Sequence, residues 1–346
     1  KEVVGNTADE AAAVYYVNYE YSDDGRRVTV SEGGKYKTVN ELDAFGNVIR
    51  ETDGNGNTRR YEYNCLNQLV KAYDAYENCW TYTYNALGKI KSQTGPDGAK
   101  TEYVYNYMGL LQKITDDSGN FYSAIYDKAG RLIKEKTRGD SQKAYDYDAA
   151  GRLIKILNGD EILQSYEYGK NSRNIVVKDG NANDYLYTYD AFGRLINEKN
   201  RLGFIQDFVY DQAGKLKNQK NFDGTTSTIN YSKDRTIRTE VYSDGSKNQF
   251  TYNAIGNIVE ASNAYGKTIY KYDQAGLLIY QKDQSTGEEI YFEYDSAGNR
   301  IRLYSSNRDT SYVYGKNNEL KEIFAFTVGD GGVLDGGETA PSGQGI

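Results

Sequence analysis

The stretch YDAAGRLIKI at residues 147–156 decides the fold, because its pattern recurs at a fixed interval along the chain. It returns, for example, as YDAFGRLINEK at 189–199. Taking the first residue of each copy as a reference, fifteen repeats can be aligned, and twelve of them keep a strict step of 21 residues. Such self-similarity predicts a repeat architecture in which each repeat is one supersecondary unit. The reference positions are Tyr21, Leu42, Tyr63, Tyr84, Tyr105, Tyr126, Tyr147, Tyr168, Tyr189, Tyr210, Tyr231, Tyr252, Tyr272, Tyr294 and Tyr314.

The residues before each reference position alternate as in a β-strand. An aromatic residue stands two positions earlier in twelve of the fifteen repeats, as in Thr81-Tyr82-Thr83-Tyr84. A spacing of two puts both rings on one face of a strand, and the intervening Thr, Val or charged residues on the other. Nothing in the pattern repeats at 3.6 residues, so the chain is predicted to be all-β.

A turn follows each reference position. Asp or Asn comes next in eleven repeats, and Gly stands three residues further on in eleven. This is the preferred chemistry of a type I turn, in which the side chain accepts from the backbone two residues on and Gly supplies a positive φ. We predict a structural, turn-capping role for these residues. Besides the tyrosines, the clearest members are Asp127, Gly130, Asp148, Gly151, Asp190, Gly193, Asp211 and Gly214.

A second, more variable turn closes each repeat, as in DGNGN at 53–57 and DDSGN at 116–120. Both turns are short, so neighbouring strands must be antiparallel. One hairpin of about 21 residues cannot bury its Tyr/Leu face alone, so adjacent repeats are expected to pack against each other. The sequence therefore predicts repetitive antiparallel β-hairpins with about thirty strands.

Composition excludes several function classes. The 346 residues include 36 Tyr and 36 Gly but no His, which removes every mechanism with an imidazole base or metal ligand. A mean hydropathy of −0.78 and the lack of long apolar runs argue against membrane-spanning helices. The net charge of −7 is mixed along the chain, so no basic stripe for nucleic acid is expected. No nucleophile elbow or phosphate loop is present, and we predict neither an enzyme nor a cofactor.

Several short motifs have a functional and a structural interpretation. Cys65 and Cys79 lie at opposite ends of a predicted strand, about 20 Å apart, so two free thiols are expected. Asp53-x-Asn55-x-Asn57 and its counterpart at 179–183 alternate oxygen ligands as calcium loops do, but without the distal Glu, which favours ordinary turns. Arg138-Gly139-Asp140 spells an adhesion tripeptide, although other repeats carry unrelated residues there. The tyrosine ladder itself could pack between repeats or stack on sugars, and packing is favoured.

The repeated Y-D-x-x-G-R-L-I resembles the YD repeat of the RHS family. The motif is clearest in YDKAGRLIKEK (126–136), YDAAGRLIKI (147–156), YDAFGRLINEK (189–199), YDQAGKLKNQK (210–220) and YDSAGNRIR (294–302). The resemblance covers about residues 17–322 and implies a spiralling β-sheet that winds into a hollow shell. In bacterial RHS toxins and insecticidal toxin complexes such a shell encloses a C-terminal toxic domain, and in animal teneurins it belongs to an extracellular adhesion protein.

The resemblance also limits what is expected of this chain. Bacterial members usually carry a self-cleaving aspartate pair after the repeats. Asp330 and Asp335 in GDGGVLDGG (329–337) lack the Asp-Pro-x-Gly context of that motif, so autoproteolysis is not expected. Opening at Lys1, the chain is interpreted as an open segment of a shell and a piece of a larger protein.

Three regions are predicted: a lead-in or partial repeat at 1–16, the repeat array at 17–322, and a Gly-rich linker or start of a next region at 323–346. The preferred function is a non-catalytic shell segment of a large secreted or surface toxin that encloses or presents a separate effector. Its partners would be the rest of the parent chain and an encapsulated C-terminal toxin, without nucleic acid or membrane insertion. The alternative is an extracellular adhesion or carbohydrate-binding repeat, against which the single Trp80 counts.

Overall fold

The computed structural model describes residues 2–4, 15–138, 142–328 and 334–339, with side chains at 15–138 and 142–327. Its described residues form 32 β-strands and no helix, so none of them belongs to a helix that could cross a membrane. The prediction of an all-β fold is therefore confirmed.

The strands are short, mostly five to seven residues, and follow one another closely. The first sixteen are β1 (Glu2–Val4), β2 (Tyr15–Tyr21), β3 (Arg27–Glu32), β4 (Tyr36–Leu42), β5 (Val48–Thr52), β6 (Thr58–Tyr63), β7 (Leu69–Tyr73), β8 (Cys79–Tyr84), β9 (Ile90–Thr94), β10 (Lys100–Tyr105), β11 (Leu111–Asp116), β12 (Phe121–Tyr126), β13 (Leu132–Thr137), β14 (Gln142–Tyr147), β15 (Leu153–Asn158) and β16 (Glu161–Tyr168). The other sixteen are β17 (Asn174–Asp179), β18 (Asp184–Tyr189), β19 (Leu195–Lys199), β20 (Ile205–Tyr210), β21 (Leu216–Lys220), β22 (Thr226–Tyr231), β23 (Ile237–Tyr242), β24 (Lys247–Tyr252), β25 (Ile258–Asn263), β26 (Gly266–Tyr272), β27 (Leu278–Asp283), β28 (Glu289–Tyr294), β29 (Arg300–Tyr304), β30 (Arg308–Tyr314), β31 (Leu320–Val328) and β32 (Leu334–Thr339).

The chain divides into two compact units. The terminal unit contains Lys1–Trp80, Tyr231–Thr239 and Ser246–Ile346, and the middle unit contains Thr81–Asn230 and Glu240–Gly245. Within each unit, strands that follow one another in sequence pair antiparallel, as the short turns predict. The reference tyrosine is the last residue of its strand in fourteen repeats, so the 21-residue step of the sequence is the step of the hairpins.

The first turn of each repeat, here called the DxxG turn, has the geometry of a type I turn with a bulge. In the repeat that starts at Tyr126, the Gly130 amide donates to the Asp127 carbonyl at 3.0 Å, and the Asp127 amide donates to the Arg131 carbonyl at 3.0 Å. Gly130 has a φ of +81°, and the register shifts by one residue between Ile125 and Tyr126. A type I turn followed by a left-handed residue that makes a bulge is a common hairpin connection.

Some repeats that lack the Asp or Asn depart from this geometry, whereas the repeat at Tyr314, with Gly315 in that place, keeps it. After Tyr21 and Tyr168 the closing bond spans five residues instead of four, as in the Gly169 amide to the Asn174 carbonyl, and the strand register runs through without a bulge. The left-handed residue is nevertheless kept where glycine is missing. Its substitutes have φ between 56° and 64°, and they are Asn67, Ser172, Arg235 and Asn318.

Valine at Gly193 is expected to destabilise the middle unit by more than about 1 kcal/mol, because a β-branched residue resists a positive φ. Gly193 has a φ of +78° and nothing lies within 4 Å of a Cβ placed there, so the cost comes from the backbone alone. The reverse change, Arg235→Gly, is expected to stabilise by about 1 kcal/mol, since Arg235 already has a φ of 63°. Urea unfolding followed by circular dichroism measures both. A neutral Gly193→Val variant would contradict the DxxG turn geometry.

Each unit is a single layer of sheet, which leaves most side chains half-buried. The buried apolar residues of the described part are Tyr36, Ala124, Ile229 and Ala275. Within the strands that end at a reference tyrosine, the position just before it is exposed in most repeats, as at Val104 and Ile125, which are 49% and 53% exposed. The face that carries the reference tyrosines is therefore the better covered of the two.

The predicted boundaries at the two ends remain a proposal, but strands occur on both sides of them. β2 begins at Tyr15, and β1 pairs with it through Val3 and Tyr16. β31 runs on to Val328, and β32 lies antiparallel to it within the predicted linker. Asp330, one of the two aspartates considered for cleavage, lies outside the described residues, whereas Asp335 is part of β32.

Candidate functional site: repeat clamps and a seam

The carboxylate of the DxxG turn caps the turn from inside. Asp148 Oδ1 accepts from the amides of Ala150 and Arg152, both at 2.9 Å. These bonds stabilise the ionised carboxylate, so the pKa of Asp148 lies below its ordinary value, chiefly because of the Arg152 amide. The predicted site residues Asp127, Asp190 and Asp211 make the same pair of backbone bonds, which is what the turn-capping proposal requires.

The second carboxylate oxygen of the turn binds an arginine that reaches the next repeat. Asp148 Oδ2 lies 2.7 Å from both Nε and Nη2 of Arg152. The guanidinium carbon of Arg152 lies 4.4 Å from the ring centroid of Tyr168, the next reference tyrosine. Asp127, Arg131 and Tyr147 repeat this arrangement one repeat earlier. We call each Asp–Arg–Tyr set a repeat clamp, since it joins a turn to the strand of the following repeat.

The reference tyrosines are tied to the preceding repeat through their hydroxyl groups. The Tyr147 hydroxyl donates to the carbonyl of Leu132 at 2.8 Å, fifteen residues earlier. The same bond spans 14 to 16 residues elsewhere, at 2.8 to 3.1 Å. It is made by Tyr63, Tyr105, Tyr126, Tyr168, Tyr210, Tyr272, Tyr294 and Tyr314.

Within the clamps, a reference tyrosine is thus joined to the preceding repeat by its hydroxyl bond and by an arginine on its ring, as at Tyr168. Rings do stack on the opposite face of the terminal unit. There Tyr291 lies 5.2 Å from Tyr280 and 5.1 Å from Tyr304, measured between ring centroids. The Tyr291 and Tyr304 rings are stacked, whereas the Tyr280 ring is tilted against Tyr291.

Lysine at Arg152 is expected to weaken the middle unit by about 1 kcal/mol, because an ammonium cannot replace the planar, bidentate contact with Asp148 or lie flat on Tyr168. The matched control is Lys128→Gln, at an exposed turn position that belongs to no clamp. The urea midpoints of the two variants give the comparison. Equal midpoints would show that the clamp contributes nothing to stability.

The terminal unit contains a second kind of contact, between hairpins far apart in sequence. The variable turns near residues 33, 54 and 75 lie against the DxxG turns at 273–276, 295–298 and 315–318. Six bonds that involve a side chain cross this contact and join residues separated by 237 to 243 positions. We call this contact the seam. About eleven repeats of 21 residues separate its two sides, and such a return of the sheet to its own first hairpins is what a spiralling sheet requires.

Tyr36 anchors the first part of the seam. It is only 8% exposed, and its hydroxyl donates to Asp273 Oδ2 at 2.7 Å. Burial, reinforced by this bond to a carboxylate, raises the pKa of Tyr36 well above its ordinary value. Asp273 also caps its own DxxG turn through the amides of Ala275 and Leu277. One carboxylate therefore serves both the local turn and the distant hairpin.

Close backbone approach marks the same contact. A Cβ at Gly33 would lie 2.6 Å from the Ala275 amide nitrogen, and a Cβ at Gly54 would overlap the carbonyl of Ser296. Beside Gly54, the Asn55 side-chain amide donates to Asp295 Oδ2 at 2.8 Å. Small residues at these two turn tips are thus a condition of the contact made there.

Tyr76 closes the other end of the seam. Its hydroxyl accepts from the Lys316 amide at 2.8 Å and donates to Glu319 Oε1 at 2.9 Å. A bond from Lys321, with further donors around it, lowers the pKa of Glu319 to about 2. Next to Tyr76, the Ala75 amide donates to Asn317 Oδ1 at 3.0 Å. This end of the seam is therefore held by charge-assisted and backbone bonds.

The remaining sequence motifs have ordinary roles where the structure describes them. Cys65 and Cys79 both carry free thiols, as predicted. Asp53 Oδ1 accepts from the Asn55 and Asn57 amides, which is turn capping, and Asp179 does the same. Within the described residues no cluster suited to a metal ion is present. Two residues of the tripeptide at 138–140 lie outside the described part.

Sequence reasoning missed the seam residues Tyr36 and Tyr76 and the clamp arginines. The arginines had a signal, because Arg follows the turn glycine in the three repeats that begin at Tyr126, Tyr147 and Tyr189. Tyr36 and Tyr76 lie out of register with the reference tyrosines, and that was their only distinguishing mark.

Comparisons with known proteins agree with this geometry. A family model described as the teneurin YD-shell matches residues 39–187. No curated protein matches the chain. Among solved structures, a crystal structure of TcdB2-TccC3 superposes with a TM-score of 0.69 at 16% identity over 94% of this chain. A Tc holotoxin pore of Photorhabdus luminescens superposes with a TM-score of 0.62 at 15% identity over 95%.

At these identities the solved structures show the fold alone. The chain spans about a fifth of their length, 22% and 21% of the two chains respectively. The 21-residue repeat, the antiparallel hairpin sheet and the family model point the same way. The resemblance of this chain to the RHS/YD-repeat family is thereby confirmed.

Proposed function

We propose that this chain is a non-catalytic wall segment of the shell of a large secreted or surface RHS-type toxin, and that the shell encloses or presents a separate effector. The observation that carries the proposal is the seam. A sheet that returns to its own first hairpins after about 240 residues is built to surround space rather than to pack against a second layer.

The chemistry of the repeats supports a structural role. The repeated carboxylates are engaged in turn capping and in the clamps, as Asp148 shows, which leaves them unsuited to act as a general acid or base. The clamps of three repeats and the hydroxyl bonds of nine reference tyrosines hold these repeats to their neighbours within the sheet. A wall made this way needs no covering layer, so its inner face stays available to cargo.

The neighbours support the assembly part of the proposal. TcdB2-TccC3 and the Tc holotoxin pore are assemblies, and the chain corresponds to about a fifth of the matched chains. The partners of this segment would then be the remainder of a parent polypeptide and a C-terminal toxin, outside the cell that makes them.

Protease protection tests the proposal. The complete natural polypeptide that contains this chain is expressed and digested with a non-specific protease, and the fragments are identified by mass spectrometry. A shell predicts that some segment outside the repeats survives with the native sheet and is degraded once alkali unfolds the sheet. If every segment outside the repeats is degraded at the rate of an unfolded peptide while the repeats stay intact, nothing is enclosed and the proposal fails.

The adhesion alternative has one observation in its favour. Tyr107 and Tyr265 are 86% and 91% exposed at turn tips, where aromatic rings could meet a glycan. A glycan array with the isolated chain, and with Tyr107→Ala and Tyr265→Ala variants, tests it. Binding that both substitutions abolish would favour adhesion over enclosure.

A further inference from the structure

Large apolar side chains stand exposed at one position of the DxxG turn in both units. This position is the third after the reference residue. In the terminal unit it holds Phe45 and Leu66, which are 81% and 74% exposed, and in the middle unit Leu87 and Phe192, which are 69% and 85% exposed. Phe45 and Leu66 occupy successive repeats, and neighbouring exposed apolar side chains are typical of an interaction surface.

The seam shows what this row of turns binds. Where DxxG turns are covered, at 273–276 and 295–298, the same position holds alanine, and the contacting variable turns bring Gly33 and Gly54. The DxxG edge, meaning the row of DxxG turns along one side of the sheet, therefore already binds the variable edge, the row of variable turns, inside this chain. Phe45 and Leu66 hold the same position in two DxxG turns of the terminal unit, and both side chains are exposed.

The variable edge of the terminal unit carries a matching side chain, because Tyr265 is 91% exposed there. Turns on either edge recur every second strand, which is about 10 Å at the usual strand spacing. Both edges therefore have the same spacing between turns, so the turn tips of one edge can fit between successive turns of the other. A second copy of the chain has this spacing on both of its edges.

We propose that the DxxG edge of one copy binds the variable edge of a second copy, so that the chain associates head to tail. The apolar tips Phe45 and Leu66 would pack between the variable turns of the partner copy, where the seam inside each chain uses glycine against alanine. The contact is heterologous, so it leaves a free edge on each outer copy and permits further addition. It does not depend on the chain enclosing an effector.

Sedimentation velocity over a concentration series tests the proposal with two edge variants. Phe45→Asp with Leu66→Asp alters the DxxG edge of the terminal unit, and Tyr265→Asp alters its variable edge. The wild-type chain is expected to grow beyond a dimer as its concentration rises, and each variant alone is expected to stay monomeric. Val209→Asp is the control, because Val209 is 51% exposed on a strand face and lies on neither edge.

Mixing the two edge variants gives the sharpest result. Each retains the edge that the other lacks, so the mixture is expected to form one-to-one dimers that grow no further. Circular dichroism confirms that each variant keeps its sheet before the mixing. A wild-type chain that stays monomeric up to high micromolar concentration overturns the proposal. Assembly that neither edge variant weakens, or a mixture that does not associate, overturns it as well.

Discussion

Alanine at Gly54 is expected to open the seam and to lower the stability of the terminal unit by about 1–3 kcal/mol, the usual cost of overpacking a site that cannot relax. The added Cβ would overlap the carbonyl of Ser296, which is backbone and cannot rotate away. The Asn55–Asp295 hydrogen bond beside it would be lost with the contact.

Gly56 provides the matched control within the same turn. It has a φ of +84° and nothing within 4 Å of a Cβ, whereas Gly54 has no positive φ and a blocked Cβ. Gly56→Ala therefore strains the backbone without touching the seam. Hydrogen exchange separates the two effects, because the amides of Ala75 and Lys316 bond across the seam. Faster exchange of both amides in Gly54→Ala, but not in Gly56→Ala, is the expected outcome, and equal exchange in both variants would contradict the seam.

Alkali is expected to unfold the sheet cooperatively above about pH 10, the ordinary pKa of tyrosine. Burial raises the pKa of the reference tyrosines Tyr63, Tyr105 and Tyr294, and a bond to Glu289 raises that of Tyr291 to about 12. A group whose pKa is raised on folding contributes stability that is complete below its unfolded pKa and is lost as the pH rises through the folded value. The stability that the Tyr291 hydroxyl contributes is therefore lost as the pH rises from about 10 to about 12.

Absorbance at 295 nm and circular dichroism, recorded together against pH, measure this transition. Phenolate formation should lag behind that of free tyrosine and then rise together with the loss of the sheet signal. If the 36 tyrosines titrate smoothly near pH 10 while the sheet stays intact, their hydroxyl bonds contribute little to the fold.

The hairpin sheet could be predicted from sequence because its determinants are local and repeated. Tyr147, Asp148 and Gly151 lie within five residues, and their chemistry of strand, cap and positive φ needs no distant partner. Because the repeat imposes this backbone conformation, Arg235 and Ser172 can replace glycine at the left-handed position, and the sequence did not predict a positive φ for either. The backbone conformation at those two positions is imposed by the repeat, and their side chains give no sign of it.

The clamp and the seam were harder for two different reasons. Arg152 follows its turn glycine as expected for a strand residue, but only the structure shows that its guanidinium spans from Asp148 to Tyr168. The seam joins residues about 240 positions apart, and this offset depends on how far each hairpin rotates relative to the last. A 21-residue pattern contains no record of that rotation.

Seam glycines are also indistinguishable from turn glycines by sequence. Gly54 and Gly56 stand in the same DGNGN turn, yet one makes a close backbone contact and the other only needs a positive φ. Phe45 and Leu66 stand at a position of the DxxG turn whose residue changes from repeat to repeat. Their role as exposed turn tips depends on which edge of the sheet they occupy, and the sequence does not give that edge.

A double-mutant cycle between Tyr36 and Asp273 tests the central claim most directly. Tyr36→Phe, Asp273→Asn and the double variant are compared by urea unfolding, and the cycle cancels the separate role of Asp273 in its own turn. The hydroxyl donates to the carboxylate at 2.7 Å across 237 residues, so a coupling energy of about 1.5–3 kcal/mol is predicted, as for a buried bond to a charged group. Effects that simply add would mean that the sheet does not return to its first hairpins.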